Sequence, residues 1–324
     1  MRLLLIGKRS SITHWLEHAG EAFVAAGHEV RTAPFRNPAL HPAIDAALTN
    51  PRLGALRARA IRALAQRFVP DLALAIGGYS VPMSILEALA SAPSRPPLAA
   101  WVGDAFGPEA GPWAGAFDLV GYTDTGLLQR HRDLGFKAEA VFLPHAANAG
   151  RREPRLGGTR RPLSFVAVPT PHRRALVGAL ERPIALYGPG WTPFPSVRHE
   201  IHARKLSARA VRAVYGGSRA VLNIRNEANV VHGLNQRSFE PYLAGAAVLS
   251  DDQPDLPLLF EPGAEALVFA GPEEMNAHHA RLIAEPEYAA KIAAAGERRV
   301  VADHTYEKRL ETITGRLWGA RRMP

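Results

Sequence analysis

Cysteine is absent from this chain of 324 residues. Without a thiol there is no disulfide, no thiolate nucleophile and no cysteine-held zinc, a usage that suits a reducing cytoplasm. Long apolar runs are absent too, since none approaches the roughly 20 residues that cross a bilayer, and no transmembrane segment is expected. The opening apolar run, residues 1–6, is followed directly by Gly7, Lys8 and Arg9. A signal peptide puts its positive charge first and a cleavage site last, so this run reads as a strand and not as a leader. No Asp-x-Asp pair occurs, and neither the adjacent His278-His279 nor His199-x-x-His202 forms a metal-ligand set in the pattern. A protein-held metal ion is therefore not expected. Lysine is scarce as well: five of the 39 basic residues are lysines, and the arginines are spread along the chain. The net charge of +9 comes without a basic motif interleaved with aromatics, so no nucleic-acid partner is expected. The arginines at 52–67 read as the solvated face of a helix, and those at 151–161 as part of a linker.

What is present is an ordinary globular composition, 47% apolar and 21% charged, in a chain long enough for two medium domains. Apolar strand-like runs alternate with helical spacing. The spacing predicts strands over 2–7, 28–32, 72–76, 97–102, 117–122 and 140–143, with a helix after Ser10 or Ser11 stopped at Gly27. Residues 148–162 are polar and rich in glycine, proline and arginine, as a linker is. The alternation restarts with strands over 163–168, 184–187 and 220–224, an apolar run ending in Ser250-Asp251, and a strand over 266–269. Helices are expected over 208–216, 273–284, 287–302 and 307–319. Alternation of this kind predicts parallel sheets covered on both faces. The resulting division is a first domain over 1–147, a linker over 148–162, a second domain over 163–305 and a closing helix over 306–324. The stripe Leu310, Ile313, Leu317 and Trp318 requires that closing helix to pack on something, and the first domain is the expected surface.

The most informative stretch is Val231-His232-Gly233-Leu234-Asn235-Gln236-Arg237-Ser238-Phe239-Glu240. A loop with Gly233 leads into a helix whose first turns carry Asn235, Arg237 and Glu240, and which stops at Gly245. A helix start offers free N–H groups that suit a diphosphate, and Arg237 adds a forked contact. Glu240 stands about one turn further on, where a carboxylate accepts hydrogen bonds from ribose hydroxyls. The same spacing also describes a capped helix with an Arg–Glu pair on its surface.

The pattern Gly-Leu-Asn-x-Arg-x-Phe-Glu, followed by Ala-Gly-Ala and a strand, resembles the C-terminal domain of the CgeB-like glycosyltransferases, relatives of the GT-B enzymes that use nucleotide sugars. The resemblance runs from about 163 to 304 and more loosely into the first half. It implies an α/β fold of GT-B architecture: two Rossmann-like, doubly wound parallel-sheet domains facing across a cleft. The activity it implies is hexosyltransferase-type glycosyl transfer from a nucleotide-diphosphate sugar to an acceptor hydroxyl, in the cytoplasm and without a tightly bound cofactor. The acceptor, whether glycan, protein or small molecule, stays open. A nucleotide-sugar epimerase of the same architecture and a non-catalytic nucleotide-sugar or glycan-binding protein are the alternatives. Many retaining relatives carry two glutamates separated by seven residues. Glu240 matches the second, but His232 occupies the first, which leaves the sugar contacts of His232, Gly233 and Leu234 and the stereochemical course open.

In open parallel sheets, ligands sit beyond the carboxyl ends of the strands. In the first half this rule selects Lys8, Arg9 and Ser10, then Tyr79, Asp104, Asp124 and His145, as acceptor-side residues. Asp104 and His14 are the candidate general bases, with His145 a rival, each with an ordinary structural role as its alternative. In the second half the rule selects 169–173, Gly188-Pro189-Gly190-Trp191 and 225–229, with Arg225 immediately after a strand. Gly188, Gly190 and Trp191 form a turn of a kind the resembled family has at this place, where glycine admits close backbone approach. Lys205 is a candidate for diphosphate neutralisation or an exposed lysine. Glu265 matches a family position near the nucleotide or is a loop carboxylate.

Overall fold

The structure of the protein, a computed structural model, describes residues 1–9, 14–36, 51–151, 160–194 and 199–319. Ser10, Ser11 and most of the expected linker lie outside the described residues. The chain divides into two compact units, one formed by Met1–Pro144 with Tyr306–Pro324, the other by His145–Thr305.

The first unit holds β1 (Arg2–Lys8), β2 (Glu29–Arg36), β3 (Leu72–Ile76), β4 (Leu98–Val102), β5 (Leu119–Tyr122) and β6 (Glu139–Phe142). They form one parallel sheet in the order β2-β1-β3-β4-β5-β6. The inner strands β3, β4 and β5 are buried at every position, and β1 from Leu3 to Gly7. That is why they are written as continuous apolar runs, since helices cover both faces of the sheet. The helix Trp15–Ala25 ends where Gly27 takes a φ of 85°, a conformation glycine adopts without strain, and the chain turns back into β2.

The closing helix, Tyr306–Trp318, belongs to the first unit. Tyr306 sits edge-on against Trp101 and Phe23 at 5.9 and 6.3 Å, and Arg309 Nε donates to the Pro144 carbonyl at 2.6 Å. Its buried stripe is Tyr306, Arg309, Leu310, Ile313 and Thr314, whereas Leu317 and Trp318 are half-exposed. The packed face is thus rotated from the apolar one, because a carbonyl partner lets Arg309 be buried.

The second unit holds β7 (Arg161–Val166), β8 (Ala185–Tyr187), β9 (Glu200–His202), β10 (Ser218–Asn223), β11 (Ala247–Asp251) and β12 (Leu267–Phe269). They form a second parallel sheet, ordered β12-β11-β10-β7-β8-β9. Strand β9 is not foreshadowed by the sequence pattern, being a three-residue edge strand with no buried position. The helix Pro272–Ala284 turns Met275, His279 and Leu282 inward at helical spacing. His279 is the polar member of that apolar stripe.

One local expectation is corrected. Asn235 to Gly245 is not a single helix but a 3₁₀ turn, Gln236–Ser238, followed by a four-residue α-helix, Glu240–Leu243. Pro241 is the reason. It has no N–H to give the Arg237 carbonyl, so the ladder breaks there and restarts with proline in a first turn. Neither piece has the length to sustain a macrodipole, so charge recognition here falls to side chains.

Candidate functional site

At the carboxyl edge of the first sheet, Lys8 ends β1 and Arg9 follows it, both exposed, and Asp104 follows β4 and is exposed. His14 is half-buried ahead of the helix Trp15–Ala25 with a φ of 47°, its ring stacked on His18 at 6.1 Å. The turn after β3 lies close against β4: a Cβ on Gly78 would stand 2.7 Å from Val102 Cγ2. That turn carries Tyr79, whose ring meets Phe106 of the Asp104 loop at 5.1 Å.

Tyr79 also begins a buried hydrogen-bond chain. Its hydroxyl bonds that of Tyr122, which bonds His131 Nδ1 at 2.8 Å, and His131 Nε2 bonds the Ala138 carbonyl at 3.0 Å. A carbonyl only accepts, so Nε2 carries the proton, and the neutral ring's Nδ1 accepts from Tyr122. Burial lowers the His131 pKa and keeps the ring neutral. Burial likewise pushes the Tyr79 phenol up to about 12, and Tyr122 higher, with Tyr79 adding to the effect. Asp124 proves to be a helix cap, accepting from the N–H groups of Gly126 and Leu127. His145 is buried and opens the second unit, directly after Pro144 of the first.

At the carboxyl edge of the second sheet, two arginines flank one aromatic ring. The guanidinium carbons of Arg173 and Arg237 each stand 5.9 Å from the Phe165 ring centroid. Arg173 donates to the Ile224 carbonyl from Nε and Nη2, at 3.0 and 2.8 Å, and to the Val168 carbonyl from Nη1 at 2.9 Å. Arg237 Nη1 donates to the Val166 carbonyl at 3.1 Å, and its Nε is buried without a partner. Among the described residues, neither arginine forms an ion pair within 4.0 Å. Burial, then the other guanidinium, lowers the Arg173 pKa, with Asp251 opposing. Burial lowers that of Arg237, with Tyr215, Asp251 and Glu240 opposing. Two positive charges held by carbonyl dipoles and a ring face, in a partly desolvated place, make a site that gains from an anion.

Around them the strand ends are tied together. Arg225 N–H faces both carboxylate oxygens of Asp251 at 3.2 Å. Glu240 is half-buried and accepts from Gln236 Nε2 at 2.9 Å. Gly188 holds a φ of 135°, and a Cβ there would lie 2.2 Å from the Ala167 carbonyl oxygen. Gly190 follows with a φ of 87°. Among the described residues no group of three or more His, Asp or Glu side chains could hold a metal ion.

Residues 171–315 match the family described as glycosyl transferase-like. No curated protein matches the chain. Among solved structures, HepE of Anabaena in complex with UDP and glucose is similar at 14% identity and a TM-score of 0.68, covering 98% of this chain and 99% of that one. Sucrose-phosphate synthase of Thermosynechococcus elongatus is similar at 12% identity and a TM-score of 0.66, covering 98% of each chain. A glycosyltransferase of Rickettsia africae is similar at 9% identity and a TM-score of 0.67, covering 98% of this chain and 99% of that one. At these identities the likeness is one of fold, and that α/β fold is GT-B.

Within the glycosyl transferase-like stretch, the other expected residues separate. His232 gives its carbonyl to the Asp255 N–H at 3.1 Å, which ties its loop to the one after β11, and Gly233 and Leu234 are buried there. Asn235 points both ends of its amide at protein, Oδ1 to the Arg237 N–H and Nδ2 to Asn223. Trp191 is a core residue instead of a ligand wall: it is 0% exposed, packs on Phe165 at 5.8 Å and donates to the Ala167 carbonyl. Lys205 is exposed in the loop after β9. Glu265 precedes β12 at the amino edge of the parallel sheet, away from the strand ends that hold the arginines. Both its oxygens engage Arg299 Nε, at 3.1 and 2.9 Å, as a loop carboxylate's would.

Proposed function

We infer that this protein is a glycosyltransferase that binds a nucleotide-diphosphate sugar on its second unit. The observation that carries this reading is the pair Arg173 and Arg237: two guanidiniums gathered at the strand ends, neither of which forms an ion pair among the described residues. The donor diphosphate supplies the missing negative charge. As the bond between the sugar's anomeric carbon and the diphosphate oxygen breaks, charge grows on that oxygen, and preorganised guanidiniums stabilise it without a protein-held metal ion. Lys205 and the backbone at Gly188 and Gly190 add to the donor contacts, with Arg225 at the neighbouring strand end. Glu240 holds the ribose hydroxyls, and the loop of His232, Gly233 and Leu234 is assigned to the sugar. The acceptor hydroxyl is assigned to the first unit, to Lys8, Arg9, Ser10 and Tyr79. Asp104, or His14, takes its proton as the new bond to the anomeric carbon forms. A hexose is the proposed sugar, the CgeB-like branch the proposed relationship and the cytoplasm the proposed compartment.

Calorimetric titration with UDP, GDP, ADP and dTDP tests the donor site. A charged hydrogen bond is worth about 1.5–3 kcal/mol, roughly ten- to more than a hundredfold in affinity. Arg237→Ala should weaken the diphosphate by that factor and leave the bare nucleoside nearly unchanged. Glu240→Gln should weaken both. Equal affinities for wild type and both variants would remove this site from nucleotide binding. Incubation with labelled nucleotide sugars then reports the chemistry: transfer or hydrolysis supports the reading, while an isomerised nucleotide or binding without turnover replaces it.

A further inference from the structure

Asn223 is the last residue of β10, a polar side chain closing the buried apolar run Ala220–Leu222, and it is fully buried. Its amide makes three hydrogen bonds. Nδ2 donates to Ser238 Oγ at 3.0 Å and to Ser250 Oγ at 3.1 Å, and Oδ1 accepts from Asn235 Nδ2 at 2.7 Å. The partners are what matter. Ser250 lies in the neighbouring strand β11, whereas Asn235 and Ser238 stand on either side of Arg237, as the cap and the last residue of the turn Gln236–Ser238. With Nδ2 committed to Asn223, Asn235 is left with one orientation, in which Oδ1 accepts the Arg237 N–H at 2.9 Å. A carboxamide alone among uncharged side chains supplies one acceptor and two donor hydrogens in a plane. Aspartate lacks the donors, and leucine lacks both.

We propose that Asn223 is the positioning residue of the donor site: it grips the turn on both sides of Arg237 and so aims the guanidinium at the diphosphate. Asn235 then acts through Arg237 and not as a nucleotide contact of its own. Pro241 ends the backbone ladder that a longer helix would provide. The turn is three residues long and is fixed through Asn223 to two strands.

This proposal rests on the reading that Arg237 meets a diphosphate, and its test separates the two. Wild type, Asn223→Ala, Arg237→Ala and the double variant are each titrated with UDP, GDP, ADP and dTDP well below their melting temperatures. Asn235→Ala, which cuts the same link at a half-exposed position, is titrated in parallel in case Asn223→Ala does not fold. The expected result is about a tenfold or larger loss of diphosphate affinity in Asn223→Ala. The double variant should lose little beyond Arg237→Ala, because the two changes remove one interaction. A residue that only stabilises the fold would lower the melting temperature and leave the affinity of the folded variant at the wild-type value. If Arg237→Ala weakens binding while Asn223→Ala does not, the proposal is overturned and the donor site stands. When Asn223→Ala is unfolded, wild-type affinity in Asn235→Ala overturns it equally. If the wild type binds none of the four nucleotides, the reading of the site falls, and the proposal with it.

Discussion

Replacing His279 by leucine should make the second unit more resistant to acid. His279 is 1% exposed on the inward stripe of the helix Pro272–Ala284, and neither ring nitrogen has a hydrogen-bond partner. Burial first, then the positive charges of Arg182 and His199, lower its pKa from 6.5 to about 4. Above pH 6.5 the ring is neutral in both folded and unfolded chains and adds no pH dependence. Between 6.5 and about 4 the unfolded chain takes up a proton that the folded one refuses, so stability falls with pH. At about 1.36 kcal/mol per unit, the loss accumulates to roughly 3 kcal/mol by the lower limit. Leucine fits the stripe and does not titrate. The difference in stability between His279→Leu and wild type should therefore be flat above pH 7 and widen by roughly 3 kcal/mol towards pH 4. Urea unfolding at a series of pH values measures it. Trp191 is the only tryptophan between His145 and Thr305, so a fluorotryptophan resonance from it reports this unit alone. The difference also cancels the other histidines, which both proteins share. A gap that stays constant from pH 7 to 4 would refute the reasoning, since it would mean that the folded protein protonates His279 as readily as the unfolded chain does.

Gly188→Ala should destabilise the second unit by roughly 2–4 kcal/mol, because a φ of 135° and a carbonyl oxygen 2.2 Å from the new Cβ force the strand ends apart; a shifted urea midpoint at Trp191 checks it. Tyr122→Phe should cost about 1–3 kcal/mol in the first unit, since it leaves buried His131 Nδ1 without its donor. Thermal unfolding with and without the further change His131→Phe measures this cost, which should shrink when both partners are gone. Glu265→Gln should leave nucleoside diphosphate affinity at the wild-type value and lower stability by under about 1 kcal/mol, because its partner Arg299 is well exposed. A weakened titration would return Glu265 to the donor site.

Much of the architecture was legible in the order of the residues. Apolar runs such as Leu3–Ile6 and Leu72–Ile76 declare strands buried on both faces, because nothing polar is tolerated where helices cover a sheet twice. Among the described residues, eleven of the twelve strands overlap stretches whose pattern predicts them, and β9 escapes because a short edge strand buries no residue and leaves no period. The strand-end rule also selects the 169–173 stretch that contains Arg173, whereas Arg237 is singled out by the local pattern of its own stretch.

The sequence by itself determined the alternation of strands and helices, the parallel sheets and the edges where polar groups collect, since these follow from local period and burial. Tertiary structure alone decided what each polar group does there. Trp191 and Tyr79 look alike as strand-end aromatics, yet one fills the core of the second unit and the other opens a buried hydrogen-bond chain. Asp124 caps a helix and Glu265 pairs with Arg299, because a carboxylate's role is set by its nearest donor and not by its neighbours in sequence. Arg173 and Arg237 are 64 residues apart in the chain (237 − 173) but share the ring of Phe165. Asn223 reads as a flaw in an apolar strand until Ser238, Ser250 and Asn235 are seen converging on its amide. Hydrogen bonds and charge pairs act over a few ångströms in space, so their partners are fixed only when the strands have taken their places.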